Sequence, residues 1–388
     1  MSQVGFIRKD VGSPYVPEEA IEVPDPAEIT RPAPAKPPTW VWVVLFVSMA
    51  VALMVMLYLS GARQLSGGSL FIFPVMLMSM MMMMRNRMGS NGKKDHGSAI
   101  NQDRADFLRA LDEQRVKIHA AGRAQATEIS YHHPDPTNGS LATLVGTGRM
   151  WERTPDARNF GHARLGLGIT RLKTKLVPPT KVPPPEFRET VTTVAARDLL
   201  VAQNVVHDVP RPVHLFDQMG WALFAEPALR PTVQGLLRAL VCQVCVFHGP
   251  DDVKVAIISD DEAAWDWAKW LPHTGDGELV DACGPVRLIF ADVAAFMEHF
   301  GSSLSGRGPF QTRQEGGVRP DSWLLVVVDC PGADCSPIVS EEGRLGVSVL
   351  EATGNEHSVL ANPVTAFVVA ADDNNTINLL KAAGQEVS

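Results

Sequence analysis

WLLVVVDC, residues Trp323–Cys330, is the stretch on which the fold turns. Six apolar residues run without interruption into an acid, Asp329. A run this short and uniformly apolar reads as a strand covered on both faces, because a strand with one wet face alternates apolar and polar side chains. VKVAIIS, Val253–Ser259, has the same character. Around these two, His162–Ile169, Gly220–Phe224, Val286–Phe290 and Thr365–Ala370 read as further strands, and Thr232–Phe247 and Asp292–Phe300 as helices. Buried strands alternating with helices predict an α/β domain with a mostly parallel sheet.

Sheets of this kind often hold nucleotides, so the phosphate signatures have to be tested against the residues. A phosphate loop needs glycines whose N–H groups cradle the anion, a lysine for the β and γ phosphates, and a hydroxyl for Mg²⁺. Gly92-Lys93 has Arg87 in place of the first glycine and Lys94 in place of Ser or Thr. GSSLSGRG, Gly301–Gly308, has Arg307 for the lysine and follows a helix instead of a strand. The strand that ends at Asp329 has the form of one that holds Mg²⁺ through water, yet Cys330 follows where an ATPase usually places its water-activating glutamate. Cys242-x-x-Cys245 lies inside ALVCQVCVFH, where cysteine packs as a small hydrophobe. A four-thiolate zinc site with Cys330 and Cys335 has only generic spacing.

Further out, the chain changes character. It has 388 residues and a net charge of −8, but residues 151–388 carry 20 basic and 30 acidic side chains, while residues 40–84 carry only Arg63. An acidic domain repels phosphates, so a nucleic-acid binder is disfavoured. Val41–Ser60 is uncharged and, at about 1.5 Å per residue, reaches the ~30 Å of a bilayer's hydrocarbon. A second apolar run, Leu70–Met84, is shorter. Basic residues flank the pair, which predicts a two-helix transmembrane anchor with both ends cytoplasmic. The expected organisation is a proline-rich flexible arm over 1–39, a transmembrane hairpin over 40–86 with helices near 40–60 and 67–85, a linker and amphipathic stalk helix over 87–131, and the α/β domain over 132–388. In the stalk, Phe107, Leu111, Gln114, Ile118, Ala121 and Gln125 recur at helical spacing and form a seam. Its two glutamines weaken a free-standing coiled coil, so the seam leans on a partner or on the chain's own domain. Trp265, Trp267 and Trp270 are read either as core or as an interdomain or subunit contact.

Residues from about 31 onward resemble the N-terminal part of EccC, the FtsK/SpoIIIE-type membrane ATPase of type VII (ESX) secretion systems. The strings that carry the resemblance are SGARQLS, RADFLRALDEQR, YHHPDP, VGTGRMWERTPDARNFGHARLGLG, RALVCQVCVFHGPDD, WDWAKWLPH and DACGPVRLIF, in this order. The resemblance implies a multi-pass protomer of a large inner-membrane complex with EccB-, EccD- and EccE-like subunits, which self-associates and meets WXG100-type substrates only indirectly. It also implies that Leu237-Arg238-Ala239-Leu240 marks the helix after a phosphate loop. The loop's positions then fall on Pro231, Thr232, Val233 and Gln234, with proline and threonine where glycines belong, valine at the lysine position and glutamine at the Ser/Thr position. With Cys330 beside Asp329, this predicts a degenerate P-loop (FtsK-like) fold that is not itself an enzyme and takes no cofactor. Two alternatives stay open beside the main expectation: a subunit of a split EccC ATPase whose catalytic domains lie on another chain, or a truncated EccC fragment. The expected role is membrane anchoring and coupling of the secretion pore to those ATPase domains.

Overall fold

The computed structural model describes residues 12–16, 19–28, 91–313, 318–370 and 377–379, with scattered positions between 44 and 82. In chain order its elements are β1 (Ile21–Glu22), α1 (Asn91–His132), α2 (Ser140–Leu144), β2 (His162–Arg171), β3 (Leu176–Val177), α3 (Thr190–Ala202), β4 (Val205–His214), β5 (Gly220–Ala225) and α4 (Arg230–Phe247). They continue as β6 (Val253–Ser259), α5 (Glu262–Trp265), β7 (Gly275–Asp281), β8 (Gly284–Arg287), β9 (Ile289–Phe290), α6 (Val293–Ser305), β10 (Trp323–Asp329), α7 (Ser336–Val339), β11 (Val347–Glu351), β12 (Ala366–Val369) and β13 (Ile377–Leu379). They form two compact units, one of Glu18–Ala121 with Lys173–Asn204, the other containing Gly122–Leu172 and Val205–Ser388.

In the larger unit the seven-stranded sheet has the order β13-β12-β5-β11-β10-β6-β9 and is parallel except for β13. The two strands that decided the reading, β10 and β6, lie side by side in its middle, with Trp323 opposite Val253 and Asp329 opposite Ser259. Their side chains divide by parity. Trp323, Leu325 and Val327 join Leu237, Leu240, Val241 and Val244 of α4 in one core layer. Leu324, Val326 and Val328 join Phe296 and Leu304 of α6 in the other. Every residue of β10 is buried, as a strand with helices on both faces requires. Gly220, at the start of β5, admits no side chain, because a Cβ there would stand 2.5 Å from the Val349 carbonyl oxygen.

A second, antiparallel ribbon of β2 and β4 stands apart from this sheet in its pairing, and α4 contacts it through Gln243, which accepts from the Arg164 N–H at 2.7 Å and donates to the Arg164 carbonyl at 3.0 Å. Beneath it lies a buried polar core. The Arg153 guanidinium, 1% exposed, donates to the carbonyls of His132 and His162 and stacks 3.9 Å from the Phe247 ring centroid. Burial pushes its pKa down to about 9. The Gly161 N–H donates to His248 Nε2 at 2.9 Å, so the proton of that ring sits on Nδ1, which donates to the Val244 carbonyl at 3.0 Å. His273 Nε2 donates to the His248 carbonyl at 2.8 Å. Burial depresses the pKa of His248 well below the usual value, that of His273 to about 4 and that of His133 to about 2.

In the smaller unit β1 pairs in parallel with β3, so residues 21 and 22 of the proline-rich arm form a short strand. Glu189 caps α3 by accepting from the Thr192 N–H at 2.7 Å, and Arg104 of α1 reaches the same carboxylate at 2.7 Å. The seam of α1 is buried at Phe107, Leu111, Ile118 and Ala121. Beyond it, in the larger unit, Gln125 donates to the Arg171 carbonyl at 2.9 Å, so this glutamine makes a specific bond within the chain.

The expected two-helix transmembrane anchor is corrected. Among the described residues no helix is long and apolar enough to cross a membrane. A span needs about 20 apolar residues in one helix, and α1, the one long enough at 42 residues, is charged along its length. The two apolar runs at 40–60 and 67–85 fall largely outside the described residues. The expectation of a multi-pass inner-membrane location is overturned by the same finding.

Candidate functional site

The site gathers at the carboxyl end of β10, where open α/β sheets place their ligands. The Asp329 side chain, on the α4 side of the sheet, is only 2% exposed. Its Oδ2 accepts from Gln234 Nε2 at 2.9 Å and from the indole Nε1 of Trp265 at 2.9 Å. Its Oδ1 lies 3.7 Å from the Arg230 guanidinium, which also donates to Asp260 at 2.8 Å. Partial burial opposes the charge of Arg230, but the bond to Asp260 and the charges of Asp260, Asp329 and Asp261 together raise its pKa. A buried carboxylate is tolerated here because donors from two elements and a cation surround it.

The local sequence explains each placement. Pro227 starts a short 3-10 turn and Pro231 sits in the first turn of α4, where its missing N–H costs nothing. One turn on from Arg230, Gln234 lies on the same helix face, so both reach Asp329. Val233 is buried in the first core layer, and Thr232 is half-buried. Cys330 follows Asp329 by one residue and joins the second core layer, with its thiol 3.8 Å from the Ala291 carbonyl and its pKa raised first by burial. Of the positions expected at a degenerate nucleotide site, Gln234 and Asp329 therefore meet. Val233 and Cys330 face core layers.

The tryptophans divide. Trp265 is fully buried and serves Asp329. Trp267 packs against the first core layer and stacks on Trp265, with ring centroids 6.0 Å apart. Trp270 is 79% exposed. Residues missed from sequence are Arg230 and Trp265 as partners of the acid. The one available signal was the acid at a strand end, which in a buried sheet demands donors. Among the described residues no cluster of three or more His, Cys, Asp or Glu is placed to hold a metal ion.

Sheet order, crossover helix and acid-tipped strand are consistent with a P-loop-like α/β fold. No family model matches the chain. It is 33% identical to the ESX-5 secretion system protein EccC5 of Mycobacterium marinum over 351 residues, 88% of this chain and 25% of that protein. It is 30% identical to the ESX secretion system protein EccC of Thermomonospora curvata over 344 residues, 85% of this chain and 25% of that protein. The solved cytoplasmic domain of the Thermomonospora curvata type VII secretion ATPase EccC superposes on 46% of this chain and 22% of its own, at 12% identity and a TM-score of 0.30. The chain is a homologue of the EccC proteins of ESX secretion systems over most of its own length. It spans about a quarter of the length of these relatives.

This kinship corrects the expectation that the chain is not an enzyme. Its homologues over most of its length are EccC proteins of ESX secretion systems. Departures from a consensus at positions 231–234 and 330 are too narrow a basis for denying an activity to a chain with these relatives.

Proposed function

We propose that the chain is a component of an ESX secretion complex, in which its α/β unit passes nucleotide-driven movement from ATPase domains to the other subunits. The observation that carries this is the Asp329 network. One buried carboxylate joins the start of α4, the end of β10 and the Trp265 segment, so these elements are tied at the end of the sheet where nucleotide acts in P-loop-like folds. In this reading Pro231, Thr232, Val233, Gln234, Asp329 and Cys330 are a modified nucleotide-site region that serves as a joint. EccB-, EccD- and EccE-like proteins are the partners, with several copies of this chain per complex and WXG100-type substrates met indirectly.

Native purification of the tagged chain, with and without Asp329→Ala, tests it. The expected result is that both forms carry EccB- and EccD-like subunits while the variant loses secretion. Normal secretion by a variant that has lost its Asp329 ties, or a wild-type preparation free of such subunits, refutes the proposal.

A further inference from the structure

Among the described residues Arg153 is a buried cation with no carboxylate to itself. Its hydrogen bonds go to the carbonyls of His132 and His162, which satisfy donors but cancel no charge. The fork of N–H groups is only partly used, and the buried Nε has no hydrogen-bond partner among the described residues. Glu152, the acid whose charge reaches Arg153, is held by Arg149 through two bonds, at 3.1 and 2.8 Å. Arg149 lies 5.8 Å from the centroid of the Phe247 ring on which Arg153 also stacks. Around this ring two guanidiniums therefore face one carboxylate, and the balance is positive. Burial brings the Arg153 pKa down only to about 9, so the charge is present at neutral pH.

His133 stands beside it. Arg153 bonds the carbonyl of the residue before His133 and the carbonyl of His162, whose ring stacks on that of His133 with centroids 6.0 Å apart. After burial, the charge of Arg153 is the strongest influence lowering the His133 pKa. The residue is 6% exposed, and its Nδ1 is likewise buried without a partner among the described residues. A neutral imidazole that carries its proton on Nδ1 is a second donor. An unbalanced buried cation beside an unsatisfied buried donor calls for an ion or a water at that place. Water would satisfy the donors and leave the charge. A guanidinium only 1% exposed is closed to a nucleotide or a phosphate ester, whereas a monatomic halide needs only a few donors.

We propose that Arg153 Nε and His133 Nδ1 hold a buried chloride ion. The ion completes a joint between the end of α1, the start of β2 and the end of α4, all within the larger unit. This joint shares no residue with the one at Asp329.

Thermal unfolding of the full-length chain in mild detergent tests it, followed by tryptophan fluorescence while chloride replaces gluconate at constant ionic strength. The midpoint is expected to rise with the logarithm of chloride. Above the dissociation constant, each tenfold in chloride shifts the folding equilibrium about tenfold. Arg153→Met is expected to abolish this dependence. His133→Phe keeps the guanidinium and its two carbonyl bonds, and should raise the chloride needed for the same effect about tenfold. General salt effects act on all three proteins alike. In crystals of the full-length chain grown in bromide, an anomalous peak is expected beside Arg153 Nε and His133 Nδ1. Equal midpoints in chloride and gluconate overturn the proposal, as do equal chloride effects in wild type and His133→Phe, or a site filled by water that bromide does not replace. If Arg153→Met fails to fold, the His133→Phe comparison and the bromide peak decide alone.

Discussion

Acid should unfold the larger unit at a pH where most of its carboxylates are still ionised, because three of its buried histidines are built to be neutral. His133, His248 and His273 are at most 6% exposed, and burial lowers the pKa of each. His248 has the least freedom, since a second proton on Nε2 would face the Gly161 N–H that now donates to it. Groups with depressed folded pKa values bind more protons when unfolded, so their stabilisation is complete above the unfolded value of about 6.5 and is lost as pH falls below it. For His273 the loss continues to about pH 4 and for His133 to about pH 2. At pH 5.5 each histidine held neutral costs about 1.4 kcal/mol relative to pH 8, and the three together about 4 kcal/mol. With a urea m-value of about 3 kcal/mol/M, the midpoint moves down by about 1.3 M. The fluorescence of buried Trp265 and Trp323 reports the transition. His248→Gln keeps an acceptor for Gly161 and removes one titrating group, so its midpoint should depend less on pH than that of the wild type. A midpoint that is the same at pH 5.5 and pH 8 would refute the reasoning, because these rings would then be free to take protons in the fold.

Three further outcomes follow from single side chains. Trp265→Phe removes one of the donors to buried Asp329 and should cost about 1–3 kcal/mol in a denaturation series. Gly220→Ala drives a methyl into the Val349 carbonyl and the Leu360 side chain in the centre of the sheet, and thermal melting should show a loss of at least about 2 kcal/mol. Leu111→Ala opens a cavity in the α1 seam, 3% exposed, and should cost about 2–5 kcal/mol, with amide exchange accelerating along α1.

The parts of the fold that were legible are those where one physical demand acts alone. β6 and β10 are apolar on both faces because helices cover both, and their runs announce this. β11 escaped notice because Ser348 and Glu351 interrupt its apolar residues, although both are buried. The Ser348 hydroxyl is accommodated by donating to the Leu215 carbonyl, a partner that lies 133 positions away in sequence. β4 contains Pro210 and Pro212, which argue against a central strand, and among the described residues it pairs only with β2. α3 is rich in threonine and valine, and its start is set by the Glu189 cap rather than by periodicity. At the site, Asp329 was visible as an acid ending a strand, whereas the indole of Trp265 that serves it reads from sequence as ordinary core. The network of Arg153, His248 and His273 had no sequence signal, since its members come from distant segments and share no spacing.

The strand order has a consequence for synthesis. β5 lies between β11 and β12, so neither of its neighbours exists until about 120 residues after β5 has been made. At about 5–20 residues per second, a ribosome takes roughly 6–25 s to supply the first of them. During that interval the nascent chain carries a hydrophobic strand with both edges open, next to the α4 segment that will cover it. The newborn protein is a client for a chaperone until Val347–Glu351 leaves the tunnel, and translational pauses placed before that point would lengthen its exposure.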